Sequence, residues 1–431
     1  MPLSSRTVLG STSVALGIAL AAALGPSAAA QDAADLVAEA AVEVSADDLD
    51  AVLDAVGDAR VVLLGEAWHG DGGAIALRAG LVRALHERLG FTVLAFEADF
   101  FALHQDWERF RQGGSLSAVR DDVWDFWADT RAAAPLWDYV EARAAAGDTL
   151  HVAGFDTQVR SDRSRDELPG WLREHLGALP GADPAQVEGA VATVAAALGT
   201  PGSDPGAVTD EGFASLLRLL VRLEHEADSP FVAQAAESLR RNVQDENRDL
   251  GMGDNIVWLA AERFPDRKVI VWAHNNHVLM DKWAFWNTPE GEAARARLSV
   301  AAVADWDYAG GAVRRAFGPG AVSLAVVPYE GTYSPDIGPV LNRHPADLDA
   351  TATLAPAPEG TVEAALAARG HDLAFVDLRP LRGVGLVPSR VLHYASGADP
   401  AALRLADGWD GLLFVRRTYG LNEPSPDAPS D

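Results

Sequence analysis

The feature that most constrains this chain is a recurring one: short, unbroken apolar runs that stop at an acidic residue or a histidine. The first is VVLLGEAWHG at 61–70, in which the apolar run breaks into Glu66 and His69. Others lie at 92–97, 150–156 and 268–274, ending in Glu97, Asp156 and His274. Runs at 321–327, 373–378 and 411–415 are equally apolar. A run without polar alternation is the pattern of a strand covered on both faces, as parallel strands are. Between the first two runs Leu77, Leu81, Leu85 and Leu89 recur every fourth position, one face of a helix, and Gly90 ends it. Strand, helix and strand in that order form a parallel crossover unit. The predicted fold is α/β, with a mainly parallel central sheet, helices on both faces and an α-helical insertion or cap.

The chain divides along these patterns. Residues 31–165 and 266–420 form the two halves of the α/β core, and 31–58 reads as a helix leading into the first strand, with Leu49, Val52, Leu53 and Val56 at helical spacing. Residues 166–265 are rich in Ala and Leu, hold no convincing strand and read as the helical insertion, broken by a Gly/Pro/Ser/Asp loop near 199–206. A Pro- and Ala-rich loop is expected at 344–358 and a disordered tail at 421–431. Residues 1–30 carry Arg6, an apolar stretch at 14–24 and Ala28-Ala29-Ala30 before Gln31, which is the pattern of a cleaved secretory signal peptide. The expected location is therefore secreted or periplasmic, with no membrane association after cleavage.

Charge and cysteine usage narrow the chemistry. A formal net charge of −27 opposes phosphate binding, so no nucleic-acid partner is expected. With no cysteine among 431 residues, disulfides and thiolate metal sites are impossible. No Gly-x-Ser-x-Gly elbow, P-loop or dinucleotide fingerprint occurs, and no cofactor is expected. Oligomeric state is not legible.

In a parallel sheet the carboxyl ends of the strands lie on one side, so residues distant in sequence can converge there. This places Glu66, His69, Glu97, Asp156, His274 and His277 as candidates for one site. Two chemistries suit such a cluster. In one, His69 is a general base on water, Glu66 or Glu97 orients its ring, and Arg78 with a second histidine stabilises an oxyanion. In the other, His69, His274 or His277 and a carboxylate hold a divalent metal that activates the water. A non-catalytic reading also stands: Trp107, Trp124, Trp127 and Trp137, with nearby Phe residues, could hold a heme or macrocycle, or simply pack helices. His277, Asp156, Trp68 and Trp127 are assigned to substrate binding, with Trp68 narrowing the mouth. His86, His175, His225 and His371 fall at apparently exposed positions.

The order GEAWHG, Arg78, FEAD, GFD and VWAHNNH resembles the erythromycin esterase family. VWDFWADTRAAAPLWDYV is similar to that family's Trp-rich stretch, and NRDLGMGDNIVWL to the segment before its last histidine pair. The resemblance implies a metal-independent hydrolase of an ester or lactone, a macrolide being one candidate substrate and macrolide resistance one candidate role. It implies that His69 activates water, that Glu66 and Glu97 orient it or the imidazole, and that His274 and Arg78 stabilise the oxyanion. No metal site is implied.

Overall fold

The computed structural model describes residues 28–244, 247–295, 307–338, 346–392 and 400–426. The predicted signal peptide lies almost wholly outside them, as do part of the 344–358 loop and residues 427–431 of the tail. The strands are β1 (Val42–Glu43), β2 (Val61–Leu64), β3 (Phe91–Asp99), β4 (His151–Asp156), β5 (Lys268–Trp272), β6 (Ala321–Tyr333), β7 (Ala352–Leu354), β8 (Leu373–Asp377), β9 (Val387–Ser389), β10 (Ala401–Leu403) and β11 (Gly411–Thr418). Every apolar run singled out above forms a strand.

The chain folds as two compact units. The larger comprises the described parts of the chain up to Ala95, Trp124–His151 and the part from Arg263 onward. Its strand order is β1–β8–β11–β6–β2–β5–β3, with β7 beside β6. The centre is parallel: β2 pairs with β5 and with β6, and β6 with β11. All four residues of β2 are buried, so both faces of the sheet are covered there, as the unbroken apolar run requires. Antiparallel partners occupy the margins, where β8 joins β11, β1 joins β8 and β7 joins β6. The result is a mixed sheet of mostly parallel strands with helices on both faces. β9 and β10 make a separate antiparallel pair.

Three expectations need correction within this unit, the first being that the segment 344–358, expected to be a surface loop, contains β7 paired with β6. The single helix expected over 31–58 is two, Ala28–Glu39 and Asp50–Val56, because Val42 and Glu43 between them pair with Phe375 and Ala374 of β8. A two-residue strand carries no periodicity that could announce it. His86 is buried, not exposed: its Nδ1 lies 2.7 Å from the Tyr139 hydroxyl, between the helices Gly72–Leu89 and Ala134–Ala145. Burial first, and Arg143 second, hold its pKa below the ordinary histidine value, against a smaller opposing effect of Glu87.

The smaller unit comprises Phe96–Val123 and Val152–Glu262. It holds the C-terminal half of β3, nearly all of β4, and the helices Phe100–Arg111, Asp162–Gly177, Pro184–Leu198, Asp210–Glu226, Pro230–Val243 and Arg248–Trp258. Its core is Leu- and Val-rich, with Leu172, Leu176, Val191, Leu216, Leu220 and Leu239 buried at helical spacing. The first of these helices after β4 starts at Asp162 and runs through Pro169, capped by the Ser161 hydroxyl on the Ser164 amide. No helix among the described residues is long and apolar enough to cross a membrane.

Candidate active site

The loop that follows β2 carries Glu66 and His69, and its path leaves no room for larger residues at two points. A Cβ on Gly65 would meet the Asn275 side chain, and one on Gly70 would meet the Ser334 carbonyl. Fully buried Asn275 ties this loop to two neighbouring segments. Its backbone amide donates to the Glu66 carbonyl, and its side-chain amide donates to the carbonyls of Val326 and Val391. Trp68 is buried, and its indole N–H donates to the Ser334 carbonyl at 2.8 Å, anchoring the loop. Asp71 then caps the helix Gly72–Leu89 by accepting from the Ala74 amide.

Held in this way, His69 presents Nδ1 to Glu66 Oε1 at 2.7 Å. Glu66 is fully buried and its charge is met on the far side by Arg78, which is fully buried as well. The Arg78 guanidinium lies over the Trp272 ring, 3.8 Å from its centroid. Arg78 is thus placed to hold Glu66, a burden that accounts for its burial, since a lone carboxylate would not stay ionised there. Phe126 stacks on the His69 ring at 4.9 Å, and Trp127 meets it edge-on at 5.0 Å.

His274 stands beside His69, with ring centroids 5.5 Å apart and nearly perpendicular. The backbone sets its proton. Nδ1 accepts from the Asn276 amide at 3.1 Å and is therefore unprotonated, so Nε2 carries the hydrogen and donates to the Ala67 carbonyl at 3.0 Å. His274 is a neutral ring in one tautomer. His277 follows it, with ring centroids 6.3 Å apart, and its carbonyl accepts from the Gly310 amide.

In the smaller unit Glu97 and Asp156 come together around a residue not singled out in the sequence, Arg248. It donates to Glu97 at 2.7 Å and to Asp156 at 2.6 and 2.9 Å. Burial lowers the proton affinity of this guanidinium, but Asp156 and then Glu97 raise it further, and the net shift is upward. Arg248 opens the helix Arg248–Trp258, capped by Asn247. A cation at a helix N-terminus works against the helix dipole, and that anomaly was available in the sequence NRDL. Phe126, one of the Phe residues grouped with the tryptophans as pocket lining or helix packing, is the ring that stacks on His69.

The structure therefore gathers Glu66, His69, Arg78, Trp127 and His274 in one unit, with His277 next to His274, and Glu97 with Asp156 in the other. The first group is a carboxylate–imidazole pair whose carboxylate is immobilised, the arrangement that orients a histidine for general-base work.

The family model described as erythromycin esterase matches residues 86–418, which contain Glu97, Asp156, Arg248, His274 and His277; Glu66, His69 and Arg78 precede the match. The chain is 22% identical to the Bacillus subtilis (strain 168) protein named "Putative hydrolase YbfO", over 83% of each chain. Its fold is similar to that of a Bacillus cereus protein (TM-score 0.68, 17% identity, 93% of this chain and 100% of the other). It is also similar to a succinoglycan biosynthesis protein (TM-score 0.64, 16% identity, 92% and 99%). A mutant of the erythromycin esterase EreC in its open conformation is a third structural relative (TM-score 0.57, 15% identity, 88% and 95%). With the family model covering most of its length, the chain belongs to the erythromycin esterase family of hydrolases.

Proposed function

We propose that this chain is an exported hydrolase that cleaves an ester or lactone, a macrolide being one candidate, with water activated by His69. The observation that carries the reading is the 2.7 Å contact of His69 Nδ1 with a Glu66 that Arg78 holds from behind. With Nδ1 held by Glu66, proton exchange with substrate falls to Nε2. Nε2 takes a proton as the water oxygen bonds to the carbonyl carbon. The imidazolium, stabilised by Glu66, returns that proton to the departing alkoxide as the carbon–oxygen bond breaks, leaving acid and alcohol.

The geometry revises two roles. Arg78, buried beneath Glu66, acts as a positioning residue. His274, with Nε2 on Ala67 and Nδ1 on Asn276, would have to give up a backbone partner before it could serve an oxyanion or a metal. Support for the metal-free reading comes from this commitment of both ring nitrogens.

The test is turnover of an ester and lactone panel followed by mass spectrometry. His69→Ala should lower kcat by about 10²- to 10⁴-fold, the usual loss for a general base, with the thermal unfolding curve unchanged. Wild-type turnover in that variant would end the assignment. Stoichiometric metal, lost together with activity from protein purified without chelator, would replace it with the metal mechanism. A ligand recovered chemically intact from a stable complex, with no turnover across the panel, would favour a binding protein.

A further inference from the structure

Trp127 stands 61 residues from Glu66 in sequence, yet its indole N–H donates to the Glu66 carboxylate at 3.0 Å. It does so at Oε1, the same oxygen that faces His69, while Arg78 engages Oε2. The indole is fully buried and held on several sides. The Trp127 carbonyl accepts from the Trp137 indole, its amide donates to the Trp124 carbonyl, and its ring packs edge-on against Trp272. An apolar ring would fill this volume equally well. The indole instead spends its only polar atom on the one carboxylate oxygen that touches the candidate base.

We propose that Trp127 is a positioning residue that sets the proton affinity of His69 through Glu66 Oε1. The inference rests on the reading of His69 as the base. Two N–H donors on one carboxylate oxygen compete for its negative charge, so each bond weakens what the other donor receives. A second donor on Oε1 therefore restrains the pull of Glu66 on the imidazolium and keeps His69 unprotonated at working pH. It also prevents the carboxylate from turning about its Cγ–Cδ bond, with Arg78 fixing the other oxygen. The charged or titratable groups around His69 in this unit include Glu66, Arg78 behind it, His274 beside it and His277 next to His274. Of these, Glu66 is the one that hydrogen-bonds its ring at Nδ1. Trp127 thus has a role in the reaction without touching substrate, in place of the binding role its ring suggests in sequence.

The variant Trp127→Phe keeps an aromatic ring and removes the donor. Its His69 imidazole, followed by NMR titration, should rise in pKa by about 0.5–1 unit, less than the full worth of a hydrogen bond to a charged group because the donor acts on His69 only through Glu66. The acidic limb of the kcat/KM profile should move upward by the same amount. A His69 pKa that is unchanged or lower in a folded Trp127→Phe protein overturns the proposal. A second measurement needs no variant at position 127. In the wild-type protein the indole N–H resonance of Trp127 should shift with the same midpoint as His69, and His69→Gln should abolish that shift. An indole resonance that stays flat while His69 titrates overturns the proposal even where Trp127→Phe does not fold. Neither NMR readout depends on turnover. If His69→Ala keeps full esterase activity while the indole of the wild-type protein titrates with His69, the linkage stands and the assignment of His69 as base is what fails.

Discussion

Arg78 and Arg248 each pair with carboxylates singled out in the sequence, and they solve different charge problems. Arg78 in the larger unit meets one carboxylate, Glu66, and both are fully buried. Arg248 in the smaller unit meets two, Glu97 and Asp156, and keeps part of its surface. The first cluster is one cation to one anion, with Trp127 and His69 added on the carboxylate. The second is one cation to two anions and retains a net negative charge. In the first, Glu66 is left as a fixed hydrogen-bond acceptor for an imidazole, with its charge already met. In the second, either carboxylate can be lost while the arginine keeps a partner.

That difference can be broken by substitution. The largest effect is expected from Arg78→Met, which strands a buried carboxylate and should cost about 3–5 kcal/mol of stability in urea unfolding. Asp156→Asn should cost less, about 2 kcal/mol for a lost charge-assisted hydrogen bond, since Glu97 still holds Arg248. Equal losses in the two variants would show that the number of partners does not matter, and the comparison would collapse.

A pH-dependent effect concerns another acidic pair in the smaller unit. Burial first, then hydrogen bonding to and repulsion by Asp106, push the Asp122 carboxyl up to about 8, with Arg163 opposing. Arg163 and Arg109 lie on Asp106, at 3.1 and 2.9 Å. A carboxyl with a folded pKa above its unfolded value near 3.8 binds more protons when folded between those two values. Its contribution is complete below about pH 4 and declines as pH rises towards 8. Asp122→Asn should therefore flatten the fall in stability between pH 5 and pH 8. An unaltered slope, measured by urea unfolding at the two pH values, would remove this pair from the account.

Much of the fold was readable because parallel strands advertise themselves. Each apolar run formed a strand, and β6 and β11 extend beyond their predicted ends because they pair with each other as far as Glu330 and Gly331. Short marginal strands such as β1 and β7 were silent, since two or three residues carry no period. At the site, Glu66 and His69 were legible from their spacing at a strand end, and His274 from the same logic. Trp68 shows the limit of that reasoning. Its position between Glu66 and His69 pointed to the mouth of the site, but its indole is buried against the Ser334 carbonyl from a segment 266 residues away.

The sequence by itself determined what short-range geometry controls: strands from unbroken apolar runs, a helix from Leu77, Leu81 and Leu85, and a Glu-x-x-His loop that brings Nδ1 to Oε1. Tertiary structure decided what each of those residues is able to do. Arg78 lies 12 positions after Glu66, but the ring its guanidinium lies over is that of Trp272; the proton on His274 is set by Ala67 and Asn276; and the second donor on Glu66 comes from Trp127. The physical reason is that proton affinity and charge pairing depend on groups within a few ångströms, and most of those groups arrive from elsewhere in the chain.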